Sequence, residues 1–221
     1  MSDQERAAKI EAARQSLTYV QPGMTIGLGS GTTAAEMVRL LGERVRAGLS
    51  VRGVASSTGT ETLAREAGIP LVAIGEIDTL DVTIDGADEV DPKGRMIKGR
   101  GGALLREKIL ASCSRKLVII VDPRKQVATL GAAPVPVEVT PFGVAFVSRA
   151  LVAMGGKPEL RAAAGGGPYV TDGGNHILDC AFGPIPDPDA LGARLDGVVG
   201  VVEHGLFVGF SPAIVVGGTK T

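Results

Sequence analysis

Asp81-Val82-Thr83-Ile84-Asp85-Gly86-Ala87-Asp88-Glu89-Val90-Asp91 sets the frame in which the rest of the chain is read. Its opening residues are mostly β-branched and a glycine follows closely, which predicts a short buried strand over 81–84. Four acids then arrive within seven residues, at or just beyond the strand's carboxyl end. In open α/β sheets ligands bind at that end. A glycine-rich turn, Lys98-Gly99-Arg100-Gly101-Gly102, comes next, and a helix starting near Ala103 carries Glu107 in its first turn or two. Each piece alone reads as an acidic surface loop, a turn and a helix with an ordinary glutamate. Together they bring carboxylates, a cation and backbone N–H donors within a short stretch, and this is the candidate active site.

Outward from this stretch, strands and helices alternate. Residues 2–20 read as a helix capped by Ser2 or Asp3, with Ile10, Ala13, Leu17 and Val20 on one face and Pro22-Gly23 ending it. A strand over 24–28 runs through Gly29-Ser30-Gly31-Thr32-Thr33 into a second helix. A strand over 51–55 leads through Ser56-Ser57-Thr58-Gly59-Thr60 into a shorter helix closed by Gly68. Further strands are expected over 71–74 and 117–121. The order predicts an α/β fold: a mostly parallel, Rossmann-like sheet with helices on both faces.

The pattern changes near Gly131. Pro134 to Val139 alternates as a strand whose prolines suit a sheet edge. A helix over 142–154 follows, then a hairpin over 169–182 through Asp172-Gly173-Gly174-Asn175, a helix begun by Asp187-Pro188, and a strand over 198–203. This order predicts a small α+β, ferredoxin-like domain inserted at 131–205. The main domain is then 1–130 and 206–221, the last strand (213–216) returning to its sheet.

Composition narrows the function. Net charge is −1, so no electrostatic footprint for nucleic acid or an anionic membrane exists. Trp is absent and aromatics make up 3% of the chain, which argues against stacking platforms for bases. No apolar window approaches a membrane span and the polar N-terminus lacks a secretory h-region, so a cytoplasmic protein is expected. Cys113 and Cys180 stand far apart and read as buried small hydrophobes in a reducing compartment.

Several chemistries fail on inventory. Gly29-Ser30-Gly31-Thr32-Thr33-Ala34 fits a dinucleotide fingerprint, but the strand over 51–55 ends in serines where that fold needs a ribose-binding acid. A phosphate loop of the Gly-Lys-Ser/Thr kind lacks its lysine. The stretch therefore reads either as a helix N-terminus that holds a small anion or as a tight turn whose threonines cap the helix. His176 and His204 form no ligand-spaced pair, against a zinc site. Counting from Asp85, a calcium loop would need Gly where Val90 stands and Glu where Met96 stands. No Gly-x-Ser-x-Gly elbow is present. No metal and no organic cofactor are expected.

The chain resembles type A ribose-5-phosphate isomerase. The likeness lies in Tyr19-Val20-Gln21-Pro22-Gly23, Gly27 to Ala34, Asp85-Gly86-Ala87-Asp88-Glu89, Lys98-Gly99-Arg100-Gly101-Gly102-Ala103-Leu104 and Arg106-Glu107-Lys108, and continues through Lys125-Gln126-Val127, Pro136-Val137-Glu138-Val139 and Val170 to Asn175. It runs nearly end to end. It implies a cofactor-free enzyme of the pentose phosphate pathway that interconverts D-ribose 5-phosphate and D-ribulose 5-phosphate. It also implies roles: Glu107 as proton-transfer base, Asp85 and Asp88 on sugar hydroxyls and ring opening, Lys98 on developing negative charge. The substrate would be lined by Ser30, Gly31, Thr32, Thr33, Gly86, Ala87, the backbone of Gly99, Arg100 and Gly101, and the Lys125 side chain. A small-molecule partner and a homodimer are expected, with neither nucleic acid nor membrane. Two departures stand out: Ser30 and Thr32 exchange types relative to the family's Gly-Thr-Gly-Ser-Thr, and Arg100 replaces a usual glycine.

The chemistry agrees with that likeness. Moving a carbonyl between adjacent carbons needs a base that takes a carbon-bound proton and returns it to the neighbour, and one carboxylate of suitably raised pKa can do both. A cation or N–H donors must stand beside the oxygen where charge develops. Two other readings are weaker. A sugar-phosphate-sensing regulator would need a DNA-binding module, for which the residues before the first strand are too few; an acyl-CoA transferase relative would want a larger chain and its glutamate elsewhere.

Overall fold

The structure, a computed structural model, describes residues 2–218. By contacts the chain forms two units, residues 1–87, 106–126 and 210–221 in the first and residues 88–105 and 127–209 in the second.

The first unit is built on a five-stranded parallel sheet. Its strands are β1 (Thr25–Leu28), β2 (Arg52–Ala55), β3 (Val82–Gly86), β6 (Leu117–Val121) and β12 (Ala213–Val216), in the order β12-β6-β3-β1-β2. Ile26, Leu28, Val82, Ile84, Val118 and Ile120 alternate onto one face, where they bury against Ala12, Ala13, Leu17, Met37, Val38 and Leu41. Those partners come from α1 (Asp3–Ser16), the short 3-10 turn after it, and α2 (Thr32–Arg46). Ser2 is the cap of α1: its hydroxyl accepts from Glu5 N–H while the Glu5 carboxylate takes the Ser2 N–H, an arrangement that contributes about 1 kcal/mol. Ala64 of α3 (Thr58–Glu66) joins the same core. Helix α4 (Leu104–Ser112) backs the opposite face, where the Thr83 hydroxyl lies 3.4 Å from Leu110 O and 2.6 Å from Ser114 Oγ. The strand expected over 71–74 shrinks to one bridge between Gly53 and Leu71, because a 3-10 turn takes over at Ile74–Glu76.

In the second unit a four-stranded antiparallel sheet carries β7 (Val135–Val139), β8 (Lys157–Leu160), β9 (His176–Ala181) and β10 (Val201–His204), ordered β10-β7-β9-β8. With α5 (Val144–Ala153) after β7 and α6 (Pro188–Asp196) after β9, the order is β-α-β-β-α-β, the ferredoxin-like arrangement. Two sequence expectations are corrected. The hairpin partner of β9 is β8, not residues near 169; the turn at 172–175 forms, with Thr171 Oγ1 and Asn175 Nδ2 both donating to the buried Glu138 carboxylate. Strand β7 is interior rather than an edge. Pro136 is tolerated there because its carbonyl, and hence its missing donor, faces the β10 side beyond the last pair, His204 with Val137.

A three-stranded sheet of two-residue strands completes this unit: β4 (Glu89–Val90), β5 (Met96–Ile97) and β11 (Leu206–Phe207), ordered β11-β5-β4. It gathers residues 88–105 with the ferredoxin-like part, whereas the sequence begins that domain at 131. Among the described residues no helix is long and apolar enough to cross a membrane.

Candidate active site

The sheet order of the first unit reverses between β3 and β1: β2 lies to one side of β1, while the chain's later strands stack on the other. A crevice at such a switch point, outside the carboxyl ends of the strands, is where open α/β sheets bind ligands. The sequence delivers both candidate loops there. Gly29 N–H donates to Ile84 O at 3.0 Å, and Ser30 N–H donates to Asp85 Oδ1 at 3.0 Å. Asp85 is 1% exposed and the same oxygen accepts Gly86 N–H at 2.7 Å. Gly29 is required by contact: a Cβ there would lie 2.1 Å from Asp85 Oδ1.

The hydroxyl-rich loops bear on the two readings left open above. Helix α2 has Gly31 as its N-cap and no side-chain cap. Thr32 is its first residue, and its hydroxyl instead accepts from the Lys9 ammonium at 2.8 Å. Among the described residues the N–H groups of Thr32, Thr33 and Ala34 meet no acceptor, as the first turn of a helix leaves them. An uncapped, positively polarised helix end with an ammonium beside it favours an anion. Ser30 plays another part: its hydroxyl lies 2.6 Å from Ser56 Oγ and 3.4 Å from Thr60 Oγ1, tying the two loops together, and Thr60 Oγ1 donates to Gly29 O. Lys9 was missed in the sequence because its partner stands on a different helix.

Glu107 sits in the first turn of α4 and is 4% exposed. The helix runs antiparallel to the strands it links, so its N-terminus lies at their carboxyl ends. Thr83 and Asp85 share one face of β3 (period 2), and Thr83 is the residue that binds α4. Asp85 and Glu107 therefore belong to the same face of the sheet. Lys125 closes a 3-10 turn, Pro123–Lys125, just past β6. Asp122 shapes that turn by accepting Arg124 N–H at 3.1 Å and Arg124 Nε at 3.0 Å. Burial pushes the Asp122 carboxyl up, but the Arg124 hydrogen bonds and the Arg124 and Lys125 charges outweigh it and hold the group below its ordinary value.

In the second unit the structure sorts the remaining acids. Glu89 is buried and accepts Gly131 N–H and Ala133 N–H, and Asp91 holds the 91–95 turn through Lys93 N–H, Arg95 N–H and the Arg95 guanidinium. Both are thereby structural. Asp88 is half-buried and accepts Arg100 N–H at 3.1 Å through Oδ2. Lys98 is 3% exposed; its N–H donates to Gly205 O, and its ammonium lies 5.2 Å from the centre of the Phe207 ring. Gly99 and Gly102 have φ of +98° and +83°, where a side chain is strained. Arg100 does not, so a non-glycine residue is accommodated there, and it is exposed. Ala87 marks the boundary between the units.

His204 sits in no ligand-spaced pair along the sequence, and the structure groups it with Glu203 and Asp196, their ligand atoms all within 4.8 Å of one another. Its ring has work without an ion. Nδ1 faces Leu206 N–H at 3.2 Å and must accept; Nε2 then carries the proton and donates to Asp196 Oδ1 at 3.1 Å. That pins the chain between β10 and β11 beside Gly205, the partner of Lys98.

The family model for ribose 5-phosphate isomerase A (phosphoriboisomerase A) matches residues 52–221. The chain belongs to this family. It is 49% identical to ribose-5-phosphate isomerase A of Parvibaculum lavamentivorans over 224 aligned positions, covering 99% of this chain and 95% of that protein. It is 51% identical to the enzyme of Methylorubrum extorquens, covering 94% and 90%. Among solved structures, a D-ribose-5-phosphate isomerase in complex with phospho-erythronic acid superposes with a TM-score of 0.92 at 39% identity, covering 95% of this chain and 93% of that one. Ribose 5-phosphate isomerase A of Methanocaldococcus jannaschii gives 0.90 at 39% identity, covering 96% and 94%. The ribose-5-phosphate isomerase A family thus accounts for the fold of both units.

Proposed function

We propose that this chain is an aldose-ketose isomerase that interconverts D-ribose 5-phosphate and D-ribulose 5-phosphate. The observation that carries the reading is the α2 N-terminus at the β1/β3 crevice, uncapped, with the Lys9 ammonium on Thr32. It suits the phosphate of a small sugar, with Ser30, Gly31, Thr32, Thr33 and Lys125 around it.

Glu107 is the base. It removes the proton from carbon 2 of the open-chain aldose, giving an enediolate, and returns it to carbon 1 to give the ketose. Glu107 is 4% exposed and stands in the first turn of α4. Asp85 and Asp88 act on sugar hydroxyls and ring opening. The Lys98 ammonium stabilises the oxygen on which negative charge grows, and the backbone of Gly99, Arg100 and Gly101 lines the substrate. Gly86 and Ala87 line the sugar. No metal or organic cofactor takes part, and the enzyme works as a cytoplasmic homodimer in the pentose phosphate pathway.

The test is direct. Purified protein, treated exhaustively with EDTA, should convert ribose 5-phosphate to ribulose 5-phosphate at an undiminished rate. Loss of activity that Mg²⁺ or Mn²⁺ restores would recast Asp85 and Asp88 as metal ligands. Conversion of no pentose phosphate at all would overturn the reading.

A further inference from the structure

The loop that follows Lys98 is held from its carbonyl side by two residues that neither the fold nor the proposed reaction has yet used. Arg161, at the end of β8, directs Nη1 to two successive carbonyls, Gly99 O at 3.3 Å and Arg100 O at 3.1 Å. Its other donors, Nε and Nη2, grip Asp179 of β9 in a two-pronged pair. The Tyr169 hydroxyl donates to Gly101 O at 3.4 Å, and the tyrosine ring lies 5.7 Å from the Arg161 guanidinium. The chain closes the clamp on itself, since Tyr169 N–H donates to Arg161 O at 2.7 Å.

A planar peptide points its C=O and N–H in opposite directions, so fixing one fixes the other. The Gly99–Arg100 peptide is held at both ends, by Arg161 and by Asp88 Oδ2. The Gly101–Gly102 peptide is held by Tyr169 and by Gly99 O, which takes Gly102 N–H at 2.9 Å. The Arg100–Gly101 peptide between them is held at its oxygen by Arg161, while its N–H, on Gly101, meets no acceptor among the described residues. We propose that Arg161 and Tyr169 are positioning residues that aim the Gly101 N–H as an oxyanion donor for the enediolate. This deepens the isomerase reading and rests on it.

Lysine cannot substitute, because one ammonium lacks the planar fork that serves a carboxylate and two carbonyls together. The competing role is a plain cross-strand ion pair, Arg161 with Asp179, that only stabilises β8 against β9. The two differ in what they protect. A strand tie protects the melting temperature; an aimed donor protects the binding of an enediolate-like carboxylate over that of phosphate alone.

The experiment compares full-length wild type, Arg161→Ala, Arg161→Lys and Tyr169→Phe in kcat, KM, melting temperature, and affinity for phospho-erythronic acid and for inorganic phosphate. Loss of an oxyanion donor costs about 10²- to 10³-fold in kcat, so misaiming one should cost Arg161→Ala about tenfold to a hundredfold. Phospho-erythronic acid should bind at least about tenfold more weakly to that variant while inorganic phosphate changes by less than about twofold. Arg161→Lys should not recover activity, and added methylguanidinium should partly restore Arg161→Ala. Tyr169→Phe should lose about two- to fivefold in kcat, as for one neutral hydrogen bond. Should Arg161→Ala fail to fold, Arg161→Lys and Tyr169→Phe carry the same comparison. Equal weakening of both ligands, or wild-type kcat in the folded variants, would overturn the positioning role. An inactive wild type would instead overturn the isomerase reading itself.

Discussion

Ser30 N–H donates to Asp85 Oδ1 at 3.0 Å, so the loop leaving β1 and the acid ending β3 are one hydrogen-bonded unit. A polar group this buried keeps its geometry only while both partners stay in register. Gly29 makes the approach possible. Gly29→Ala should push Asp85 out of place and cost about 1–3 kcal/mol as an overpacked substitution. For a domain of this size each kcal/mol corresponds to about 2–4 °C in melting temperature. Calorimetry together with an activity assay checks this, and a variant with unchanged Tm and kcat would show that the contact is unimportant.

Lys9 on Thr32 makes a further expectation. Lys9→Met keeps the aliphatic stem and removes the charge. Hydrogen bonds to charged groups contribute about 1.5–3 kcal/mol, so kcat/KM for ribose 5-phosphate should fall about tenfold or more. Competitive inhibition by inorganic phosphate should weaken in parallel and lose much of its salt dependence. Unaltered phosphate inhibition would move the anion site elsewhere.

Asp122 gives a pH signature. Its carboxyl is held below the ordinary value against the opposing effect of burial, by Arg124 and Lys125. A depressed folded pKa means that this stabilisation is fully present above the unfolded value of about 3.9 and is lost as pH falls through the folded value. Asp122→Asn should therefore melt below wild type at neutral pH, with the gap closing below about pH 4. Melting curves across that range decide it; a gap that does not change with pH contradicts the assignment.

Cys180 is fully buried, and burial pushes its thiol up to about 12. A folded pKa raised above the unfolded value of about 8.5 gives stability that is complete below that pH and is lost as pH rises through the folded value. Iodoacetamide at about pH 8.5, where a free thiol is half ionised, should label Cys180 only in denaturant. Peptide mapping would show this, and native labelling of Cys180 would mean that the β9 region opens readily.

Much of this was legible from pattern. The β-branched run Val82 to Ile84, the glycine-linked strands and the apolar stretch Leu117 to Val121 state the parallel sheet, because strands buried on both faces are apolar throughout. The misses have physical causes. Strand β8 is mostly exposed, holds Pro158 and has too few apolar residues to show a period. The two-residue strands β4, β5 and β11 exist only through pairing between distant segments, so residues 88–105 looked like a loop of the first domain. Of the four clustered acids, the sequence could not separate Glu89 and Asp91, which hold backbone turns, from Asp85 and Asp88 without the likeness to a family. Lys9, Arg161 and Tyr169 act through partners far along the chain, where no spacing rule reaches.

The central claim is proton transfer by Glu107, and isotope exchange tests it most directly. Ribose 5-phosphate turned over in D₂O should yield ribulose 5-phosphate enriched in deuterium at carbon 1, because the proton on a carboxylic acid exchanges with solvent. Glu107→Gln keeps the side chain's shape and should lose about 10²- to 10⁴-fold in kcat, with the labelled product disappearing alongside. Unlabelled product from active wild type at early conversion, or more than about a tenth of wild-type activity in Glu107→Gln, would contradict the account.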